Sequence, residues 1–182
     1  MDLPRVTVLR LGHRPSRDKR ISTHLLLAAR AFGASEAIYT GVHDESLEES
    51  VTDVARDWGG SFKVKYADSY RKVIKEWLGK IIHLTMYGIL AQDVIPVIRG
   101  DSSPKLVVVG GAKVPGDVYC YAHWNVAITG QPHSEVSALA VFLNMLTEGS
   151  MLSYEFPDAR LRVVPTERGK NVDHIEKKLL NV

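Results

Sequence analysis

Residues 106–146, LVVVGGAKVPGDVYCYAHWNVAITGQPHSEVSALAVFLNML, decide the fold of this 182-residue chain. Two short apolar runs, at 106–109 and 125–128, are each followed at once by a loop rich in glycine, proline or small polar residues. A long apolar segment with helical spacing completes the stretch. This order predicts strand, loop, strand, loop and helix. Because ligands of open α/β sheets lie outside the carboxyl ends of the strands, we expect the loops at 110–115 and 129–134 to bind a small molecule.

Strands and helices alternate through the rest of the sequence. Residues 5–11 are rich in Val and Leu and predict a buried strand, residues 12–20 a polar, basic loop, and the apolar stripe from Ile21 to Phe32 a helix that Gly33 ends. Further strands are predicted at 37–39, 62–66, 80–85 and 161–164, and further helices at 46–58, where Ser46 opens a capping box, and at 69–78, 89–98 and 172–180. This alternation favours one α/β domain with a mostly parallel sheet and helices on both faces.

Charge is unevenly distributed although the net charge is only +2. Residues 1–30 contain seven arginines and lysines but two acids, and residues 44–57 are acidic. A basic face suits a phosphate-bearing partner, although charge alone is equally typical of a solvated surface. The single cysteine, Cys120, excludes an intramolecular disulfide and favours a reducing compartment. No apolar leader and no run of about 18 apolar residues is present, so we expect a cytoplasmic protein without a membrane partner.

Common motifs for nucleotides and metals are missing. No strand is followed by G-x-G-x-x-G, and no P-loop occurs. Gly110-Gly111 alone is more typical of a tight turn than of a binding loop. His123 and His133 lack the spacing and acidic neighbours of a zinc site, so no metal is predicted. His24 and His83, in apolar periodic segments, are expected to be buried and hydrogen-bonded, and Ser134 to cap the helix that follows it.

The helix predicted at residues 135–147 is apolar over most of its surface. Such a helix must be covered on nearly every side. Elements of the same domain could cover it, and so could a second copy of the chain. Its small residues Ser137, Ala138 and Ala140 would allow close helix packing, so a homodimer is expected.

Five segments together resemble the SPOUT class of methyltransferases, and within it the archaeal tRNA cytidine-56 2'-O-methyltransferase family. They are LRLGHRPSRDKRISTHLLLAARAFGA at 9–34, HLTMYG at 83–88, VGGAKVP at 109–115, NVAITGQPHSEVSALAVFLN at 125–144 and VVPTERGKNV at 163–172. The fourth segment is the most specific, because its polar pattern is long and unlike general α/β loops. The resemblance covers nearly the whole chain.

The resemblance implies a fold, a cofactor and a reaction. It implies a single SPOUT domain over residues 1–182, with a carboxy-terminal trefoil knot at about 80–148 and an extension at about 149–182. S-adenosylmethionine would be the methyl donor, a T-arm cytidine of tRNA, at position 56, would be methylated on its ribose 2'-oxygen, and the enzyme would be a homodimer. The cofactor would be enclosed by three loops containing Leu84, Gly110, Gly111, Ala112, Lys113, Val114, Ile128, Thr129, Gly130, Gln131, Pro132, His133 and Ser134.

Basic residues outside these loops are expected to bind RNA. The resemblance assigns phosphate contacts to Arg14, Arg17, Lys19, Arg168 and Lys170, and the activating role to Arg20. Related ribose methyltransferases carry N-x-x-x-x-R inside the first helix, where this chain has Leu27. Because arginine keeps its proton, Arg20 would stabilise the alkoxide electrostatically, or else contact the RNA backbone.

Two other functions fit parts of the pattern. A SPOUT base methyltransferase acting on RNA would need a carboxylate base, for which Asp158 is the candidate. A non-catalytic flavodoxin-like binding module would explain the alternating elements, but it would not explain the segment QPHSE at 131–135.

Overall fold

The computed structural model describes residues 5–111 and 113–175. Six parallel strands form one sheet in the order β3-β2-β1-β5-β4-β6, and a separate antiparallel pair follows near the end of the chain. The elements are β1 Val6–His13, α1 Pro15–Ala31, β2 Glu36–Gly41, α2 Glu45–Trp58, β3 Lys63–Tyr66, α3 Tyr70–Glu76, β4 Lys80–Leu90, α4 Ala91–Gly100, β5 Lys105–Gly110, α5 Gly116–Tyr121, β6 Trp124–Ala127, α6 Glu135–Leu146, a 3-10 turn Ser150–Ser153, β7 Leu161–Val163 and β8 Val172–His174. The predicted parallel sheet is confirmed.

Helices cover both faces of the sheet, as the sequence predicts. One face packs against α1, α2, α4 and α6 through residues such as Leu25, Ile95 and Leu139. The other face packs against α3 and α5 through Ile74 and Val118. Because the inner strands are buried on both faces, they are continuous apolar runs rather than alternating ones. None of the helices within the described ranges is long and apolar enough to cross a membrane.

The first helix begins earlier than the sequence suggests. Pro15 occupies its first turn, where a missing N–H costs nothing and a fixed φ favours the helix. The basic segment predicted as a loop at 12–20 is therefore mostly helical, and Arg17 and Arg20 lie on α1. The predicted cap of α2 was also wrong: Asp44, not Ser46, accepts from the Leu47 amide at 3.2 Å.

Strand β4 continues well beyond its predicted end at residue 85. It pairs with β6 on both sides of an irregularity between Leu84 and Ile89. Within this irregularity, a Cβ on Gly88 would lie 2.4 Å from the backbone carbonyl carbon and oxygen of Asn125. Only glycine permits this approach of two backbones. The trefoil knot expected over these residues stays a prediction.

Two features near the loops and the carboxy terminus also differ from expectation. Helix α5 follows the first glycine-rich loop, although the sequence suggested a loop only. Residues 172–174 form strand β8, paired with β7, instead of the start of a helix at 172–180. Residue 175 is not helical either, and residues 176–180 of that predicted helix lie outside the described residues.

Candidate functional site

Two cavities lie side by side at the carboxyl ends of the parallel strands. The first, here called the loop cavity, has a volume of about 400 Å³ and lies over β4, β5 and β6. The second, the basic cavity, has a volume of about 620 Å³ and lies over β1, β2 and β5. Both volumes are in the usual range of small-molecule sites. The predicted loops after β5 and β6 thus border cavities at the expected edge of the sheet.

Most of the residues predicted to bind the cofactor lie around the loop cavity. The residues that line it are Leu84, Gly110, Gly111, Val114, Ile128, Pro132 and His133. Lys113 lines the basic cavity instead. Thr129, Gly130, Gln131 and Ser134 line neither cavity, and Ala112 lies outside the described residues. Ser134 has the predicted capping role, because its hydroxyl accepts from the Val136 amide at 3.1 Å.

A buried polar network forms one wall of the loop cavity. Asn125 donates through its amide to the Tyr119 carbonyl at 3.0 Å, so its side-chain oxygen faces His83 Nδ1 at 2.9 Å. That oxygen accepts, which places the histidine proton on Nδ1. The opposite nitrogen, Nε2, is buried and has no hydrogen-bond partner among the described residues. Burial lowers the pKa of His83, so the ring is neutral and offers one unused acceptor.

The loop cavity suits a cationic ligand. Neither lysine nor arginine is among the described residues that line it, and its one carboxylate is Glu135. Backbone of Gly110 and Gly111 forms part of its wall, and a Cβ on Gly110 would lie 2.7 Å from Val114 Cγ2. A cavity that has no lysine or arginine among its described lining residues does not repel a positive group, and its bare backbone offers polar atoms at close range.

The basic cavity has the opposite character. Arg10, Arg14, Arg17 and Lys113 line it, and the acids Asp18, Asp68 and Glu135 are interspersed among them. Asp18 is engaged by Arg14 Nε at 2.8 Å, and the Arg14 hydrogen bond is the main cause that lowers the pKa of Asp18. Arg17 and Arg14 are largely exposed, so their donors remain accessible to an anion. This surface suits a phosphate-bearing ligand.

Arg10 is the residue with the least expected position. It lies in the apolar strand β1, and its side chain is 3% exposed. Its guanidinium donates to the Leu11 carbonyl at 2.6 Å and contacts Glu135 Oε1 at 2.9 Å. Desolvation lowers the pKa of Arg10, and Glu135 opposes that shift. The ion pair links β1 to the first turn of α6 at the boundary between the two cavities.

A second buried cluster stabilises the floor of the basic cavity. His13, at the end of β1, is fully buried, with Nδ1 2.8 Å from Ser22 Oγ and Nε2 3.2 Å from Asp44 Oδ2. Asp44 caps α2, and Ser22 lies on α1. The cluster therefore links the end of β1 to the middle of α1 and to the start of α2.

The remaining predicted functional residues do not line the two cavities of their own chain. Arg20 and Lys19 are exposed on α1 and line neither cavity of their own chain. Helices α1 and α2 run from the carboxyl ends to the amino ends of the strands. The segment after α6 packs on the last residues of these two helices. It therefore lies at the amino ends of the strands, opposite the two cavities. Asp158 accepts from the Gly60 amide there at 2.8 Å. Arg168 and Lys170, between β7 and β8, belong to the same segment.

Sequence reasoning also missed or misplaced several residues. The prediction that His24 is buried was wrong, because it faces solvent on the outer side of α1; His83 is buried as predicted. Arg10, Glu135, Tyr119 and Asn125 were not chosen as site residues. A charge inside the apolar strand β1 was an available signal for Arg10. No local signal identified Glu135 as its partner.

The chain is similar to a group of archaeal RNA-modifying enzymes. The sequence model of the family described as "tRNA ribose 2'-O-methyltransferase, aTrm56" matches residues 58–173. A tRNA (cytidine(56)-2'-O)-methyltransferase of Methanothermobacter thermautotrophicus is 55% identical over 94% of this chain and 97% of the relative. The protein of the same name from Thermococcus kodakarensis is 52% identical over 94% and 98% of the two chains.

Solved structures share the fold at low sequence identity. A crystal structure of an RNA 2'-O ribose methyltransferase matches with a TM-score of 0.61 and 16% identity, over 81% of this chain and 57% of the other. The SpoU methyltransferase AviRb from Streptomyces viridochromogenes, solved in complex with AdoMet, matches with a TM-score of 0.59 and 17% identity, over 81% and 58%. The chain thus spans less than two thirds of each of these proteins, and the match extends to their common α/β fold.

Proposed function

Because the chain belongs to the tRNA ribose 2'-O-methyltransferase family aTrm56, we propose that it methylates the ribose 2'-oxygen of cytidine 56 in tRNA. The observation that carries this proposal is the adjacency of two cavities of opposite character. No described residue that lines the loop cavity is a lysine or arginine, the other cavity is basic, and the two share the wall formed by Gly110, Gly111, Val114 and Glu135. A cationic methyl donor and a polyanionic RNA can therefore meet at one place.

S-adenosylmethionine is the proposed ligand of the loop cavity. When bound, it supplies a methyl group attached to a positively charged sulfur. Three features fit it: the single carboxylate Glu135, the unused acceptor His83 Nε2, and the exposed backbone of Gly110 and Gly111. The neighbouring loop residues that line neither cavity are proposed to contact it from the outer side.

The proposed RNA contacts begin at the rim of the basic cavity. Arg14 and Arg17 project into it, and Lys19 continues the basic surface along α1. Phosphate contacts of this kind need charge rather than exact geometry, which exposed arginines and lysines supply. Arg168 and Lys170 belong to the segment after α6 and line neither cavity of their own chain. They are proposed to contact RNA bound mainly to a second protomer.

A homodimer completes this arrangement. Large apolar side chains are exposed near the loop cavity, including Tyr87 at 79% and Ile89 at 59%. Val141 is likewise exposed on α6. Such clustered apolar surface is typical of interaction sites. Arg20 is proposed to act from the partner protomer, where it stabilises negative charge on the 2'-oxygen.

The cytoplasm is the proposed location of the enzyme. The single cysteine, Cys120, is free and exposed, which suits a reducing compartment.

Methylation of unmodified tRNA transcripts tests the proposed reaction. Labelled methyl groups should pass from S-adenosylmethionine to wild-type transcript, and mass spectrometry should place them on the ribose of cytidine 56. A transcript with 2'-deoxycytidine at that position should accept none. Methylation of the deoxy transcript, or a methyl group found on a base, would exclude ribose methylation and favour a base methyltransferase. Sedimentation equilibrium should give twice the mass of one chain.

A further inference from the structure

Glu135 occupies a position that no other ionisable side chain shares. It is the one titratable residue in the described ranges that lines both cavities. The loop cavity is the proposed place of the methyl donor, and the basic cavity is the proposed entrance for RNA. A hydroxyl that arrives from the basic cavity and faces a methyl group in the loop cavity must pass this carboxylate.

The two oxygens of Glu135 have different surroundings. Oε1 is 2.9 Å from the guanidinium of Arg10, which is fixed in β1 by its second bond to the Leu11 carbonyl. Oε2 has no hydrogen bond within the described part of the chain, and it faces Gly111, where a Cβ would lie 3.5 Å from it. One oxygen is therefore immobilised by Arg10, and the other remains available at the shared wall.

We propose that Glu135 accepts the proton of the target 2'-hydroxyl, and that Arg10 is the residue that positions it. This inference rests on the proposed ribose methylation. The O–H bond breaks and its proton passes to Glu135 Oε2, while the 2'-oxygen forms a bond to the methyl carbon. The carbon–sulfur bond breaks in the same step and leaves its electron pair on sulfur. The carboxylate and the sulfonium thus lose their opposite charges together.

The other ionisable groups nearby are less suited to this role. Arg14, Arg17 and Lys113 have side chains that donate hydrogen bonds and do not accept them, and Asp18 is held between two arginines. His83 has an unused acceptor, but it lines the loop cavity only. Proton transfer requires the acceptor to be within hydrogen-bond reach of the hydroxyl, and Glu135 has the position to meet that requirement from either side.

The test compares Glu135→Gln with a matched variant at the other end of α6. Glu148 also pairs with an arginine, with its Oε1 2.6 Å from Arg99, but it lies far from both cavities. Single-turnover methylation of cytidine 56 should fall about 10²–10⁴-fold in Glu135→Gln, the usual contribution of a general base, and should be unchanged in Glu148→Gln. Calorimetric affinity for S-adenosylmethionine without tRNA should fall by a much smaller factor than the rate, because Gln still accepts from Arg10 although it no longer faces the cofactor with a negative charge.

A second variant tests proton transfer by chemical rescue. Glu135→Ala should regain methylation in proportion to added formate, which supplies a carboxylate in the vacated space, while Glu148→Ala should not respond. A Glu135→Gln rate within threefold of wild type would overturn the proposal, and so would a rate loss matched by lost cofactor affinity or an absence of formate rescue. Wild-type enzyme that fails to methylate the 2'-oxygen would instead overturn the proposed function.

Substitutions of Arg10 test the positioning role. Arg10→Met should slow single-turnover methylation, and Arg10→Lys should restore part of the rate, because a cation again faces Oε1. The KM for tRNA should stay constant in both variants, since Arg10 is buried beneath the RNA surface. Equal rates in the two variants, or a change confined to KM, would contradict this role.

Discussion

Removal of the Asp44 carboxylate should destabilise the basic-cavity end of the protein. Asp44→Ala deletes the cap of α2, which is a loss of about 1 kcal/mol. It also leaves the Nε2–H of the fully buried His13 without an acceptor, at a cost of about 1–3 kcal/mol. Together these losses lower the free energy of unfolding by about 2–4 kcal/mol, or roughly 4–16 °C in Tm for a chain of this size.

Denaturant and thermal unfolding at pH 7 measure this loss, with Asp53→Ala as the matched control. Asp53 lies on the same helix, but its side chain is 59% exposed and contacts only Arg56 in the described structure, so its removal should cost less than about 1 kcal/mol. A difference between the two variants below about 1 kcal/mol would refute the argument that the His13 cluster stabilises this end of the sheet.

The pH dependence of the same difference provides a second check. The hydrogen bond from Ser46, followed by that from His13, lowers the pKa of Asp44 in the folded protein. Its contribution to stability is therefore fully present above the unfolded aspartate pKa of about 3.9 and is lost as pH falls through the lower folded value. The gap between wild type and Asp44→Ala should be constant from about pH 5 to 7 and shrink below about pH 4. A gap that widens on acidification in urea titrations would contradict this assignment.

Three other substitutions test the site. Gly88→Ala should lower the free energy of unfolding in urea by more than about 2 kcal/mol, because its Cβ would overlap backbone that cannot move aside. The same variant should bind S-adenosylmethionine more weakly in calorimetry. The control Gly100→Ala, whose Cβ would meet nothing within 4 Å, should stay within about 1 kcal/mol of wild type. Arg17→Ala should lower the slope of log affinity for tRNA against log salt by about one, and an unchanged slope would exclude a phosphate contact. Ser134→Ala should cost about 1 kcal/mol in unfolding, the loss of a single cap.

Local sequence patterns predicted the parts of the fold that depend on local burial. The apolar run at 106–109 became the centre of β5, and the periodic segment after Ser134 became α6 with the predicted capping residue. The loops after β5 and β6 could be located because strand ends follow from apolar runs and turn residues alone. Their side-by-side arrangement follows from a parallel sheet.

Features that depend on distant partners could not be predicted in this way. Strand β4 extends past residue 85 because β6, some 40 residues later, pairs with it beyond an irregularity. Strand β8 forms because β7 is available, although residues 172–180 have helical spacing on their own. Arg10 is tolerated in an apolar strand because Glu135 is brought beside it by the sheet order. In each case a tertiary contact overrides or completes the local preference.

The segment after α6 is attached to the domain by a small number of contacts. The Arg160 amide donates to the Asp57 carbonyl at 2.9 Å, and Arg30 lies 4.8 Å from the centre of the Phe156 ring. Strands β7 and β8 are mostly exposed and belong to neither apolar cluster. A unit with so little buried apolar surface opens at a low free energy, independently of global unfolding. Amide hydrogens of β7 and β8 should therefore exchange with solvent long before those of β5, so this hairpin can open and close many times while the two cavities keep their shape.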